Sequence, residues 1–134
     1  MNLLFFLTPK VDVAYLEDDF TLRQALEKME YHRYSSIPIL NATGEYVGTI
    51  TEGDLLWFIK KNSNLNLQDA ENTPIMKIPR KRDYKCVQVE TSMDDLVTTA
   101  MTQNFVPVID GKNSFIGLVK RNSIIRYCYE KAKK

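Results

Sequence analysis

The sequence predicts an α+β fold: two βαββα repeats packed face to face about a pseudo-twofold axis. Three observations carry that reading. Residues 33–56 (RYSSIPILNATGEYVGTITEGDLL) and 104–125 (NFVPVIDGKNSFIGLVKRNSII) are two versions of one pattern, each with a proline between apolar residues (Pro38, Pro107) and a glycine ten positions later (Gly48, Gly117). Turn residues, Asn41 to Glu45 with Gly44 among them and Asp110-Gly111, split each copy into two β-rich runs, which is hairpin chemistry. Apolar residues ahead of each copy recur at helical spacing. A duplicated unit this small cannot cover both faces of its own sheet, so each copy is expected to bury itself against the other.

The elements follow in order. Met-Asn-Leu-Leu-Phe-Phe-Leu at the start is apolar for five residues and lacks a basic leader. It is too short for a signal peptide or a membrane span and reads as a first strand or docking segment. Ala14, Tyr15 and Leu16 form a leading strand. Thr21 is a helix N-cap with Gln24 as its capping-box partner, and Leu22, Ala25, Leu26 and Met29 extend a helix over 21–31. Residues 36–40 and 46–51 make the hairpin strands. Asp54 opens a helix that buries Leu55, Leu56, Phe58 and Ile59 and ends near Asn62. Residues 63–83, with Pro74 and Pro79, read as a linker interrupted by a helix around 67–72. The order then recurs: a strand over 86–89, a helix capped by Ser92, hairpin strands over 105–109 and 115–119, and a last helix from Arg121 to about Lys131. Leu16 stands six residues before Leu22, and Val87 six before Met93. The expected organisation is therefore 1–62 as the first repeat with its N-terminal segment, 63–83 as linker, and 84–134 as the second repeat with its C-terminal helix.

Composition sets limits on function. The chain has 134 residues, 44% hydrophobic and 26% charged, with a formal charge of +1, which is ordinary for a globular domain and gives no overall bias toward nucleic acid or membrane. Cys86 and Cys128 are too few for a disulfide framework and read as buried reduced thiols of a cytoplasmic protein. The single histidine, His32, lacks a nucleophile partner, and no zinc-ligand spacing, phosphate-cradling glycine loop or paired-carboxylate motif is present. Asp18-Asp19 and Asp94-Asp95 are acidic helix starts, a stabilising placement. Asn41-Ala42-Thr43 matches a glycosylation pattern but reads as a turn. A catalyst or a cofactor-dependent protein is not expected.

The copies part company after the glycine: Thr51 and Asp54 in the first are Lys120 and Ser123 in the second. Taken alone, Asp54 is a plain helix cap and Thr51 a β-former at a strand end. Within the repeat they look different. Gly48-Thr49-Ile50-Thr51-Glu52-Gly53-Asp54, matched in the second copy only as Gly117-Leu118-Val119, resembles the signature of a CBS-domain pair (the Bateman module), and the resemblance spans roughly residues 8–130.

That resemblance implies a regulatory module that binds an adenine nucleotide or related adenosyl ligand (AMP, ADP, ATP or cyclic di-AMP) in the cleft of the first repeat. Such a module signals to an effector protein and pairs as a homodimer. By the same resemblance Asp54 accepts the ribose hydroxyls, Thr51 donates to the α-phosphate, and Ala14, Tyr15, Leu16, Ser35, Ser36, Ile37 and Pro38 surround the base. Lys120 and Arg121, from the opposite repeat, are placed to meet the phosphate end. A carboxylate near a helix N-terminus is stabilised by exposed N–H groups and suits a diol. Losing it at Ser123 forfeits a charged hydrogen bond worth about 1.5–3 kcal/mol, roughly ten- to a hundredfold in affinity, so one good site per chain is expected. The basic run KIPRKRDYK (77–85) reads as solvated linker, with phosphate contact or an acidic partner as alternatives. The competing readings of the whole chain are a ligand-independent interaction scaffold and, more distantly, a nucleic-acid-binding regulator. Lys131, Lys133 and Lys134 complement a helix C-terminus.

Overall fold

The computed structural model describes residues 2–62, 65–81 and 83–133. In chain order its elements are β1 (Leu7–Pro9), β2 (Leu16–Glu17), α1 (Leu22–His32), β3 (Ser36–Leu40), β4 (Tyr46–Thr51), α2 (Glu52–Lys61), α3 (Leu67–Glu71), β5 (Val87–Gln88), α4 (Met93–Ala100), β6 (Phe105–Ile109), β7 (Phe115–Lys120) and α5 (Arg121–Ala132). They fall into two units. One is Ala14–Asp83; the other joins the segment ending at Val13 to the chain from Tyr84 onward.

In the first unit, α1 starts where the sequence places it. Thr21 Oγ1 accepts from the Gln24 N–H at 3.3 Å, and Gln24 Oε1 accepts from the Thr21 N–H at 2.8 Å, satisfying two donors that a helix start otherwise leaves open. Leu22, Ala25 and Met29 turn inward from α1 onto Leu16, Ile37, Ile39 and Ile50 of a three-stranded sheet ordered β2-β3-β4. Pro38 sits in the central strand, opposite Thr49. The Glu52 N–H bond to the Ser35 carbonyl fixes the antiparallel alternation and turns the Pro38 nitrogen toward β2. It lies just ahead of the first parallel pair, Leu16↔Ile39, so its missing N–H breaks no ladder bond.

The expected linker is part of this unit. Ile75 and Ile78 are 0% and 1% exposed in the same core, the Leu22 N–H donates to the Thr73 carbonyl at 2.7 Å, and the Ile75 N–H donates to Phe20 at 2.9 Å. Only α3, on its Asn66–Asp69 capping box, matches the helix expected inside a linker. Residues 63, 64 and 82 of that expected linker lie outside the described residues.

The second unit has a four-stranded sheet ordered β1-β7-β6-β5. Its outer strand comes from the N-terminal segment: Leu7 pairs with Val119 and Pro9 with Gly117, antiparallel. Leu3 is fully buried with Val87, Leu96, Val106, Val108, Val119 and Ile124. This corrects the grouping of residues 1–62. The N-terminal segment serves the second repeat, where it covers the open edge of β7 and adds apolar side chains to that core. Gly117 is required by this crossing. Its φ is +154°, and a Cβ there would collide with the Thr8 carbonyl oxygen.

Three smaller corrections follow. The leading strands are only two residues long, so Ala14 and Tyr15 precede β2 and do not lie in it. α2 begins at Glu52 with Thr51 as its cap, so Asp54 is its third residue. The thiols are not buried: Cys86 is intermediate, and Cys128 is exposed on α5, which buries only Ile124.

Candidate functional site

The end of β4 feeds directly into α2, and this junction sets Thr51 and Asp54 facing each other. Asp54 Oδ2 accepts from the Thr51 N–H at 3.0 Å, and Thr51 Oγ1 accepts from the Asp54 N–H at 3.2 Å. The other carboxylate oxygen, Oδ1, accepts from the Lys81 N–H at 3.1 Å. The Asp54 side chain is therefore held by backbone donors on both sides, in a residue only 8% exposed. Each oxygen keeps a second lone pair, and the Thr51 hydroxyl keeps its proton. The pair can thus accept from a diol and donate to an anion while its own scaffold stays intact.

Lys81 belongs to a strap, residues 79–81 and 83, that the sequence reads as solvated linker. Asp83 Oδ1 accepts from the Thr49 N–H at 3.0 Å, and both Asp83 oxygens accept from Arg80 at 2.7 and 3.2 Å. Burial pushes the Asp83 carboxyl up, but the Arg80 hydrogen bond, the Thr49 N–H and the Arg80 charge together hold it below its ordinary value. The same hydrogen bond, with smaller contributions from the Tyr46 and Asp54 charges, raises Arg80. The strap needs a glycine as well: a Cβ on Gly48 would collide with Asp83 Oδ1. A cavity of about 690 Å³ opens beside Asp54, walled by α2 and the strap.

The second repeat reaches the same backbone junction with different chemistry. Lys120 caps α5 without a side-chain hydrogen bond and is exposed. Ser123 takes the position of Asp54. Arg121 is committed elsewhere: its Nε donates to the carbonyls of Ala100 at 3.0 Å and Gln103 at 2.7 Å, tying α5 to the end of α4.

The CBS domain sequence profile matches residues 7–61 and 75–130. The chain belongs to the CBS-domain family. An uncharacterized protein of Methanocaldococcus jannaschii is 27% identical over 123 residues, covering 83% of this chain and 44% of that protein, so the chain spans less than half of that relative. Among solved structures, the Listeria monocytogenes CbpB protein in complex with c-di-AMP superposes with TM-score 0.84 at 19% identity, covering 98% of this chain and 97% of that one. Arabidopsis thaliana CBSX2 in complex with AMP gives 0.78 at 16% identity, covering 98% of both chains. These likenesses are of fold: a pair of CBS domains, in an α+β chain.

In the first CBS domain, the residues expected around a base divide by burial. Leu16 and Ile37 are fully buried in the core, and Pro38 and Ser36 are buried in β3. Ser35 is exposed, and Tyr15 is half-buried with the Lys28 ammonium 5.4 Å from its ring centroid. Leu16 and Ile37 are thus core residues first. Sequence reasoning missed Lys81 and Asp83 as partners of the junction. The signal was a lone acid, Asp83, inside an otherwise basic run. Among the described residues, no helix is long and apolar enough to cross a membrane, and no group of three His, Cys, Asp or Glu is placed to hold a metal ion.

Proposed function

We propose that this chain is a non-catalytic cytoplasmic regulatory module. It binds an adenine nucleotide at the first CBS domain and passes its occupancy to a separate effector protein. Asp54 takes the ribose hydroxyls and Thr51 donates to the α-phosphate, while Ala14, Tyr15 and Ser35 offer the surface near the base, backed by the buried Ser36, Ile37 and Pro38. The observation that carries the reading is the asymmetry of the two junctions. A nearly buried, doubly braced carboxylate stands at position 54, and a serine stands at its counterpart, 123. The c-di-AMP and AMP complexes of CbpB and CBSX2 support the ligand class. Arg121 is not kept as a phosphate ligand, because it is accounted for by its two carbonyl contacts within the second repeat.

The test is thermal unfolding with AMP, ADP, ATP and cyclic di-AMP, with S-adenosylmethionine as a cationic adenosyl control. At a hundredfold excess over the dissociation constant a ligand stabilises by about 2.7 kcal/mol. Stabilisation by a nucleotide that disappears in a folded Asp54→Ala variant supports the reading. A shift that survives Asp54→Ala, or none with any nucleotide, sinks it and leaves the scaffold reading.

The same module pairs with a second copy through its helices. The α1–α2 groove (Leu26, Met29, Leu55, Leu56, Ile59) and the α4–α5 groove (Val97, Ala100, Ile124, Ile125, Cys128) occupy matching positions of the two repeats. Apolar grooves duplicated in this way favour a symmetric homodimer.

A further inference from the structure

The groove between α2 and the strap carries a surface that the nucleotide reading leaves unused. Among the described residues the two share Asp54 alone: neither Thr51 nor any residue placed near the base lines the groove. Lys60 and Lys61 line it from the end of α2, and Lys77 and Lys81 from the strap side. All four are exposed, and among the described residues none is in an ion pair. The whole chain has a formal charge of only +1, so this is a local concentration of positive charge. Asp54 offsets little of it, being nearly buried with both carboxylate oxygens on backbone N–H groups. Beside these cations stands an apolar feature: Trp57 is 55% exposed, and Phe58 and Pro79 line the same groove. An open indole ringed by lysines, whose own stems are apolar, has the make-up of an anchoring pocket in a protein interface.

Resting on the reading above only for the existence of an effector, we infer that the effector docks here through an acidic segment that carries apolar side chains. Its carboxylates meet the lysines, and an apolar side chain packs against Trp57 and Phe58. Charge complementarity selects the partner and sets the register, while the apolar anchor supplies the area that leaves water. Nucleic acid fits this surface less well. Arg80 is taken by Asp83, so the unpaired cations are all lysines, point charges without the planar fork that suits phosphate. The Lys60 ammonium also lies 5.4 Å from the Trp57 ring centroid, over a face on which a base would have to stack. The Lys81 N–H braces Asp54 while its side chain lines the groove, so the docking surface and the nucleotide carboxylate share one segment.

Trp57 is the single tryptophan of the chain, so its fluorescence reports on this groove alone. The experiment titrates the full chain, without nucleotide, with the peptide Glu-Glu-Leu-Glu-Glu-Phe-Glu-Glu. A saturable change in Trp57 emission is expected, weakening as ionic strength rises. Exposed ion pairs each contribute up to about fivefold, so Lys77→Glu/Lys81→Glu, at two exposed positions and with the Lys81 N–H kept, should lower affinity roughly twentyfold. The same variant should bind the peptide with lysine in place of every glutamate better than the wild type does, a reversal that an unfolded variant cannot give. Oligoglutamate of equal charge should bind at least about fivefold more weakly than the peptide with its apolar anchors, a gap that burying a single apolar side chain supplies. No response to the acidic peptide, or one untouched by the charge reversal, overturns the inference. Equal binding of oligoglutamate overturns it too, because the groove then takes any polyanion. A single-stranded oligoadenylate that binds more tightly through the same lysines gives the groove to nucleic acid and also overturns it. No nucleotide is present, so failure here leaves the nucleotide reading standing, and loss of the nucleotide-induced thermal shift leaves the docking to be decided by this titration.

Discussion

At the scale of single residues, the two glycines that mark the repeat have separable roles. Gly117 adopts φ +154°, and a Cβ there would meet the Thr8 carbonyl oxygen, part of a strand backbone locked in register. Gly48 has no unusual φ, and its Cβ would meet the Asp83 carboxylate, at the end of a side chain that can swing away. Gly117→Ala combines backbone strain with displacement of β1 and should destabilise by about 2–4 kcal/mol. Gly48→Ala should cost about 1 kcal/mol or less and should release the strap rather than unfold the domain. Urea denaturation of the two variants checks the ranking; equal losses would mean that β1 is not tightly held on β7.

At the scale of elements, the strap is where sequence and structure differ most. The hairpins and the helices capped by Thr21 and Ser92 were legible because each is a local pattern written twice, and the junction carrying Thr51 and Asp54 because it is where the second copy departs from the first. The N-terminal strand and the strap were not, because each acts outside its own repeat. Backbone pairing to a distant edge leaves no periodicity. Pro74, Pro79 and the run of cations give the composition of a solvated segment, although Ile75 and Ile78 are spaced to bury one side of it. The nearly matched glycines were the usable clue, since each admits a foreign segment against a β-edge.

The strap also has a pH signature. Asp83 titrates below its ordinary value of 3.8, so the folded state binds this proton more weakly than the unfolded chain does. Its contribution is complete above that value and is lost as the pH falls through the lowered one. The Thr49 amide resonance, which reports the bond from Asp83, should therefore titrate with a midpoint below 3.8, and Asp83→Asn should abolish the transition. A midpoint above 3.8 would contradict the Arg80 pairing.

At the scale of the whole molecule, the duplicated grooves make a prediction about assembly. Leu56 and Ile125 hold the same repeat position and are each 59% exposed, more than a lone chain needs to leave on a helix. The charged residues lining them differ: Glu30, Arg33 and Glu52 line the first groove, and Arg121, at the position matching Glu52, lines the second. Pairing first groove with first groove sets Glu52 against Glu52 and Arg121 against Arg121. Pairing first with second sets unlike charges together twice, so an antiparallel dimer is expected. Leu56→Glu, at an exposed position, should leave the fold intact and shift the chain to monomer in sedimentation velocity. Glu52→Lys separates the two arrangements. It should weaken an antiparallel dimer, by roughly three- to tenfold in dissociation constant, through repulsion from Arg121 of the second copy. It should tighten or spare a parallel one by removing the Glu52 pair. A Glu52→Lys dimer as tight as the wild type would leave the apolar grooves as the interface but reverse the orientation argued from their charges.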